Sequence, residues 1–397
     1  HGLLLLTGTP ESLGVESHFA RLSLLDPDKY ASLAAFREEQ QTYLPLAGLL
    51  ERLPEPGGSL DSTFLEDAEP FIGVALASEL RANPDELGLE LIERVTDSLL
   101  DRHGTGRVLF RNTRAAVGGF PHREVELHSL AKPAGYDATP ASQSDTLGML
   151  LSPELVLGVG WTDVDPRVSW LIELAGSNRP QKMLVICSAA ATARDLEEHL
   201  RTRGGMRTSV FHEEMSLLAR DRAAAYFTEE EEESAQVMVA SEIGSEGRNF
   251  QAAQHLVLFD LPLEPDMLEQ RIGRLDRIGQ RHTISIHVPF YEGAAGEVMA
   301  RWYHEALGMF ERPCPAARVV TNHFAPRIEA SLRSPQDTGV IDALLGEARC
   351  ETERQTALLS DGRDRLLEAN SFRTSRAQSM VEAVAAATHE LELTDYM

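Results

Sequence analysis

The sequence predicts an α/β protein: a doubly wound parallel sheet with helical insertions and a helical C-terminal extension. Three observations predict it. Short β-branched or apolar runs recur between Met183 and Pro289 at about 25-residue spacing with helical text between them, the pattern of right-handed βαβ crossovers around a sheet covered on both faces. Residues 29 to 100 and those beyond Pro313 are rich in helix formers. A chain of 397 residues with 43% hydrophobic positions is long enough for two or three domains and a sizeable core.

In order along the chain, residues 1 to 10 read as a buried strand and loop, and Glu16 to Leu25 as a helix ended by Asp26-Pro27. A further helix is expected from Asn83 as N-cap with Pro84 at N1 and Glu86 at N3. It carries Leu87, Leu91, Ile92, Val95 and Leu99 on one face and stops before Gly104. Residues 132–166, with Pro133, Gly135, Pro140, Ser142 and Ser144, read as a mobile linker. The strands expected next are Met183 to Cys187, Thr208 to Phe211, Val237 to Ala240, His255 to Asp260 and Thr283 to Pro289. The helices between and after them are Ala189 to Arg203, Ser216 to Phe227, Pro265 to Ile278 and Gly293 to Glu311. Glu229 to Glu233 reads as a solvated acidic loop.

Lys and Arg total 37 against 62 Asp and Glu, a net charge of −25, which excludes a generic patch-wide polyanion binder and confines any nucleic-acid contact to local sites. Cys187, Cys314 and Cys350 lie far apart without CxxC pairing, so neither a disulfide framework nor a cysteine zinc site is suggested and a reducing, cytosolic compartment is expected. The apolar run Leu3 to Leu6 is too short to span a membrane and no signal peptide is visible. Because the chain opens at His1 directly in an apolar run, it is expected to be cut from a larger protein.

Ligands of open parallel sheets bind outside the carboxyl ends of the strands, so the loops there carry the search for chemistry. The loop Ser241 to Gln251 combines Gly244 and Gly247 with acids, amides and hydroxyls; it reads either as a phosphate-approaching loop or as an ordinary polar turn. In Gln270 to Gln280, Arg274 and Arg277 are three apart on one helical face. Two guanidiniums there can clamp phosphate oxygens, or can pair as surface arginines with Asp276. His103, Arg107, Arg111, Arg114 and Arg123 are the richest basic stretch, read as a local contact to duplex phosphates or as arginines paired with Glu124 and Glu126. Asp260 either links its strand end to the Gln270 segment or caps a turn, and His212, with no second ligand spaced to help, reads as a turn histidine.

The string QRIGRLDRIGQ, with SEIGSEGRNFQAAQHLVLFDLP upstream, resembles motifs VI and V of the Swi/Snf-type helicase-like ATPases of superfamily two. Thr7-Gly8-Thr9-Pro10 resembles motif III, Gln181 to Ser188 motif IV, and Arg111-Asn112-Thr113-Arg114 with Phe120-Pro121 the link before the second lobe. Segments such as HFARLSLLDP and FHEEMSLLARDRAAAYF are similar to the bacterial RNA polymerase-associated members of that family. The resemblance implies a RecA-like second helicase lobe at 167–322. It further implies the end of a first lobe at 1–25, a helical insertion and link at 26–131, the linker at 132–166 and a truncated helical spacer at 323–397.

By the same resemblance Arg274 and Arg277 would be catalytic arginine fingers on the γ-phosphate, and Glu246, Gly247, Gln270 and Arg271 would face ATP. Thr7, Thr9, Ser241, Asn249, Gln251, Arg111 and Arg114 would face nucleic acid, taken as duplex DNA. ATP and Mg²⁺ would serve the full-length protein, with the phosphate-cradling lysine loop and the Mg²⁺ carboxylates outside this chain, so no metal is assigned here. The implied activity is ATP-driven translocation that remodels or recycles RNA polymerase in the bacterial cytoplasm near the nucleoid, and half an ATP site alone is expected to be inactive. A non-catalytic docking segment for RNA polymerase is the competing class, another superfamily two helicase is the other alternative, and a pure adaptor has no use for the arginine pair.

Overall fold

The computed structural model describes residues 5, 15–27, 30–40, 46, 48–50, 52–54, 57–61, 63–82, 87–103, 119–133, 135–136, 147–229, 233–242 and 250–360. The chain divides into two compact units, His1–Gly118 with Ala357–Met397, and Gly119–Thr356. The first unit contains helices Val15–Leu25, Leu33–Gln40, Phe64–Ile72, Val74–Ala82 and Leu89–His103. Gly73 at φ +82° turns the chain between the third and fourth of these, a conformation that favours a residue without Cβ. Leu87, Val95 and Leu99 close a core with Phe64, Ala68, Ala77 and Leu80. The helix expected from Asn83 starts instead at Leu89, where the Gly88 carbonyl accepts from the amides of Leu91 and Ile92 at 3.1 and 3.2 Å; residues 83–86 lie outside the described residues. The strand expected at 1–10 lies outside them too, apart from residue 5.

The second unit is built on six parallel strands: β1 (Arg123–Leu130), β2 (Met183–Cys187), β3 (Thr208–Phe211), β4 (Val237–Ser241), β5 (His255–Leu258) and β6 (Ile284–Tyr291), in the order β1-β6-β5-β2-β4-β3. β2, β4 and β5 are buried along their whole length, as continuous apolar strands with both faces covered must be. Helices Pro166–Ser177, Ala190–Thr202 and Leu217–Thr228 cover the sheet, and Val168, Leu171, Leu196 and Leu200 pack with Val185, Val239 and Val257 in its core. Local signals start two of these helices: Asp165 accepts from the Arg167 amide at 2.9 Å ahead of Pro166, and Ser216 accepts from the Ala219 amide at 3.3 Å.

β1 was not among the expected strands. Its text, Arg-Glu-Val-Glu-Leu-His-Ser-Leu, alternates polar and apolar residues, as suits an edge strand paired only with β6. Part of the expected linker is packed structure: Leu147–Leu151, Glu154–Leu157 and the turn Trp161–Asp163 bury Leu151, Glu154 and Trp161. Helix Pro265–Ile272 ends six residues short of Ile278, for reasons that lie in the candidate site. The helix expected from Gly293 runs as Ala295–Arg301 and widens into one π-turn, Trp302–Ala306. Ala317–Arg333 and Thr338–Ser360 follow. Among the described residues no helix is long and apolar enough to cross a membrane.

Arg167, 2% exposed, anchors this unit. It donates to Asp165 at 2.7 Å, to Glu154 at 2.9 Å and to the Phe259 carbonyl at 3.1 Å, with its guanidinium 4.2 Å from the Phe259 ring centre. Asp165 also accepts from the Tyr291 hydroxyl at 2.5 Å, so one cation joins the ends of β5 and β6 to the first turn of helix Pro166–Ser177. Arg167→Met leaves two carboxylates buried without a countercharge and should lower unfolding free energy by about 3–5 kcal/mol, read from the urea midpoint. A loss under about 1 kcal/mol would mean that these carboxylates are hydrated.

Candidate functional site

The carboxyl ends of β2, β4 and β5 are tied together by one buried ion-pair network. Asp260, just past β5, accepts from the Ser188 amide after β2 at 2.7 Å through one carboxylate oxygen. Its other oxygen and its own carbonyl accept from Arg271 Nη1 at 2.9 and 2.7 Å. Arg271 Nη2 reaches Glu242, after β4, at 2.8 Å. Of the two readings of Asp260, the structure therefore selects the link between strand end and motif VI. Burial alone would lower the Arg271 pKa; Asp260 and Glu242 outweigh it and raise it, so the guanidinium is a fixed cation.

Beyond Ile272 the chain leaves the helix in tight turns. The Asp276 amide bonds back to the Ile272 carbonyl at 3.0 Å, and Gly279 at φ +94° closes the last turn. Three side chains hold it there. Arg123, at the start of β1, donates to Asp276 at 2.6 Å, to Glu269 at 2.6 Å and to the Met309 carbonyl at 3.3 Å. Gln251 Nε2 donates to the carbonyls of Arg277 and Ile278 at 3.3 and 3.0 Å. Gln280 Nε2 donates to those of Gln251 and Ala253, both at 3.1 Å. The pull of Arg123 on Asp276 and of the two glutamines on the turn accounts for the early helix end. Arg277 is half-buried with its Nε donating to the Gly273 carbonyl at 2.9 Å, and Arg274 is 7% exposed.

Several expected roles change. Arg274 and Arg277 do not share a helix face, because both lie past the helix end. Arg271 is 2% exposed and bound to Asp260 and Glu242, which makes it a positioning residue of the site rather than an open ATP contact. Ser241 is fully buried and donates to Glu213 at 2.5 Å, which closes it to a phosphate backbone, whereas Gln251 is half-buried with its amide nitrogen bracing the Arg277 turn. Arg123 is neither a phosphate contact nor a partner of Glu124 and Glu126. Gln270 is exposed at the end of its helix. Glu246, Gly247, Asn249, Thr7, Thr9, Arg111 and Arg114 lie outside the described residues. Sequence reasoning missed Arg123–Asp276 and Ser241–Glu213, pairs 153 and 28 residues apart.

Mg²⁺ prefers carboxylate and water oxygens in near-octahedral array. The acids beside the two arginines, Asp260 and Asp276, already accept from Arg271 and Arg123, so the described residues do not fit that ion here.

A family model described as RNA polymerase recycling family C-terminal matches residues 283–397, and one described as Helicase conserved C-terminal domain matches residues 166–279. The chain is 48% identical over 405 residues to the RNA polymerase-associated protein RapA of Pseudomonas aeruginosa, covering 100% of the chain and 42% of that relative. It is 47% identical over 405 residues to the protein of that name from Stutzerimonas stutzeri, with the same coverage. It thus spans 42% of the length of these curated relatives. The crystal structure of the C-terminal part of the Fun30 ATPase domain is similar at 16% identity over 63% of this chain and 88% of that one, with a TM-score of 0.33.

If Arg271 and Asp260 form the tie described, a double-mutant cycle of Arg271→Ala and Asp260→Ala in chemical denaturation should return a coupling of at least about 1.5 kcal/mol. Additive single effects, within about 0.5 kcal/mol, would mean that the two act independently.

Proposed function

The chain belongs to the family of RNA polymerase-associated RapA proteins, and we propose that it supplies the second RecA-like lobe of an ATP-dependent nucleic-acid translocase that acts on RNA polymerase. The observation that carries this reading is the Arg274–Arg277 turn, braced by Arg123, Gln251 and Gln280 and following directly on Arg271, which Asp260 and Glu242 hold at the carboxyl ends of β5 and β4 in a parallel sheet. Ligands of such sheets bind at that end. Phosphoryl transfer needs positioning and charge rather than covalent help, and a guanidinium fork aimed at the γ-phosphate lowers the barrier by stabilising charge that develops on it. ATP and its Mg²⁺ would be held chiefly by a partner lobe, with Glu246, Gly247 and Gln270 approaching the nucleotide from this side. Thr7, Thr9, Asn249, Arg111 and Arg114 remain the residues proposed to face duplex DNA, and the compartment proposed is the bacterial cytoplasm.

A docking-only segment would gain nothing from a braced arginine turn, so the motor reading is favoured. Arg277→Ala in the full-length protein should lower kcat at least roughly 10²-fold with little change in nucleotide affinity. Loss of the Arg277 bond to the Gly273 carbonyl should cost only about 1 kcal/mol in stability. Near-normal kcat would contradict the assignment at its most important residue. Arg277 is the better probe because Arg274 is more deeply buried and its removal would disturb packing as well.

A further inference from the structure

We propose that Glu126, His128 and His287 form a binding site for a divalent transition-metal ion, Zn²⁺ by its donor set, at the edge of the sheet between β1 and β6. Parallel pairing sets Glu126 opposite His287, and the pleat puts His128, two residues on, on the same face as Glu126. His128 Nε2 lies 3.2 Å from His287 Nδ1, and a Glu126 carboxylate oxygen lies 3.8 Å from the first and 3.7 Å from the second. Bonds of about 2.0–2.1 Å to a tetrahedral zinc separate its ligand atoms by about 3.3–3.4 Å, so one turn of the Glu126 side chain completes the triangle. Among the described residues this is the one group of three or more His, Cys, Asp or Glu side chains so disposed.

The hydrogen bonds behind the site prepare it. His255 Nε2 lies 2.7 Å from Gln181 Oε1, an acceptor, so that nitrogen carries the proton and Nδ1 carries the lone pair. His287 Nε2, 3.0 Å from that lone pair, must then be protonated, which leaves His287 Nδ1 bare and facing Glu126 and His128. A second imidazole and an amide thus orient the buried ligand, as outer partners of metal-bound histidines do. The Trp170 ring, 4.7 Å from that of His128, walls one side. Glu126, with its side chain 58% exposed, opens the other to water, which would take the fourth position. Two histidines and a glutamate with one open position suit Zn²⁺. None of these residues belongs to the Arg271 network, so the site stands or falls apart from the motor reading.

The test uses the whole chain stripped with a chelator, titrated calorimetrically with Zn²⁺ and spectroscopically with Co²⁺. One equivalent should bind with a dissociation constant on the order of micromolar or tighter, and Co²⁺ should give the visible bands of a four-coordinate site. Glu126→Gln, an exposed change that leaves the fold intact, and His128→Ala should each weaken Zn²⁺ at least about 10-fold. Unchanged affinity in both variants would assign the binding to others of the 13 histidines and overturn the proposal. So would the absence of saturable binding below about 100 µM.

Discussion

The buried contact between Arg271 and Asp260 is the interaction on which the site rests. Asp260 holds the end of β2 through the Ser188 amide, and Arg271 holds the end of β4 through Glu242. Three neighbouring strand ends and the last turn of helix Pro265–Ile272 thus share one charge pair. Replacing such a pair by apolar residues of similar size is often neutral or stabilising, so its value lies in geometry rather than in net stability. A planar guanidinium with two bound carboxylates has one orientation, and the Arg274–Arg277 turn begins three residues after it.

The same device recurs elsewhere in the unit. Arg123 bridges Asp276 and Glu269, and Arg167 bridges Asp165 and Glu154, each with its side chain at most 3% exposed. In a chain of net charge −25 that carries 37 Lys and Arg, these internal uses leave fewer cations for polyanions. The nucleic-acid contact proposed for this chain would then be local, set by a few positioned residues and weakly dependent on salt.

Five of the six strands were legible from their apolar runs, because a buried parallel strand announces itself by composition. β1 was not, since an edge strand half in water alternates like a surface segment. The identity of the Gln270–Gln280 segment was legible from its wording, but its conformation was not. Helical spacing put Arg274 and Arg277 on one face, while Asp276 is drawn to an arginine 153 residues away and unwinds that stretch. Ser241 and Gln251 looked available because their hydroxyl and amide are polar; only the fold reveals Glu213 and the Arg277 turn as their partners. The cluster of Glu126, His128 and His287 was invisible for a similar reason, because 159 residues separate its two histidines.

The central claim is that Arg271 positions the turn that meets the γ-phosphate. The most direct measurement compares the affinities of the full-length protein for ADP and for ADP with aluminium fluoride, a mimic of the transferring phosphoryl group, in wild type and Arg271→Lys. Lysine keeps the charge but cannot bridge Asp260 and Glu242 in one plane. The account predicts that the variant loses at least about 10-fold of its preference for the mimic while its affinity for ADP is unchanged. An undiminished preference would contradict it.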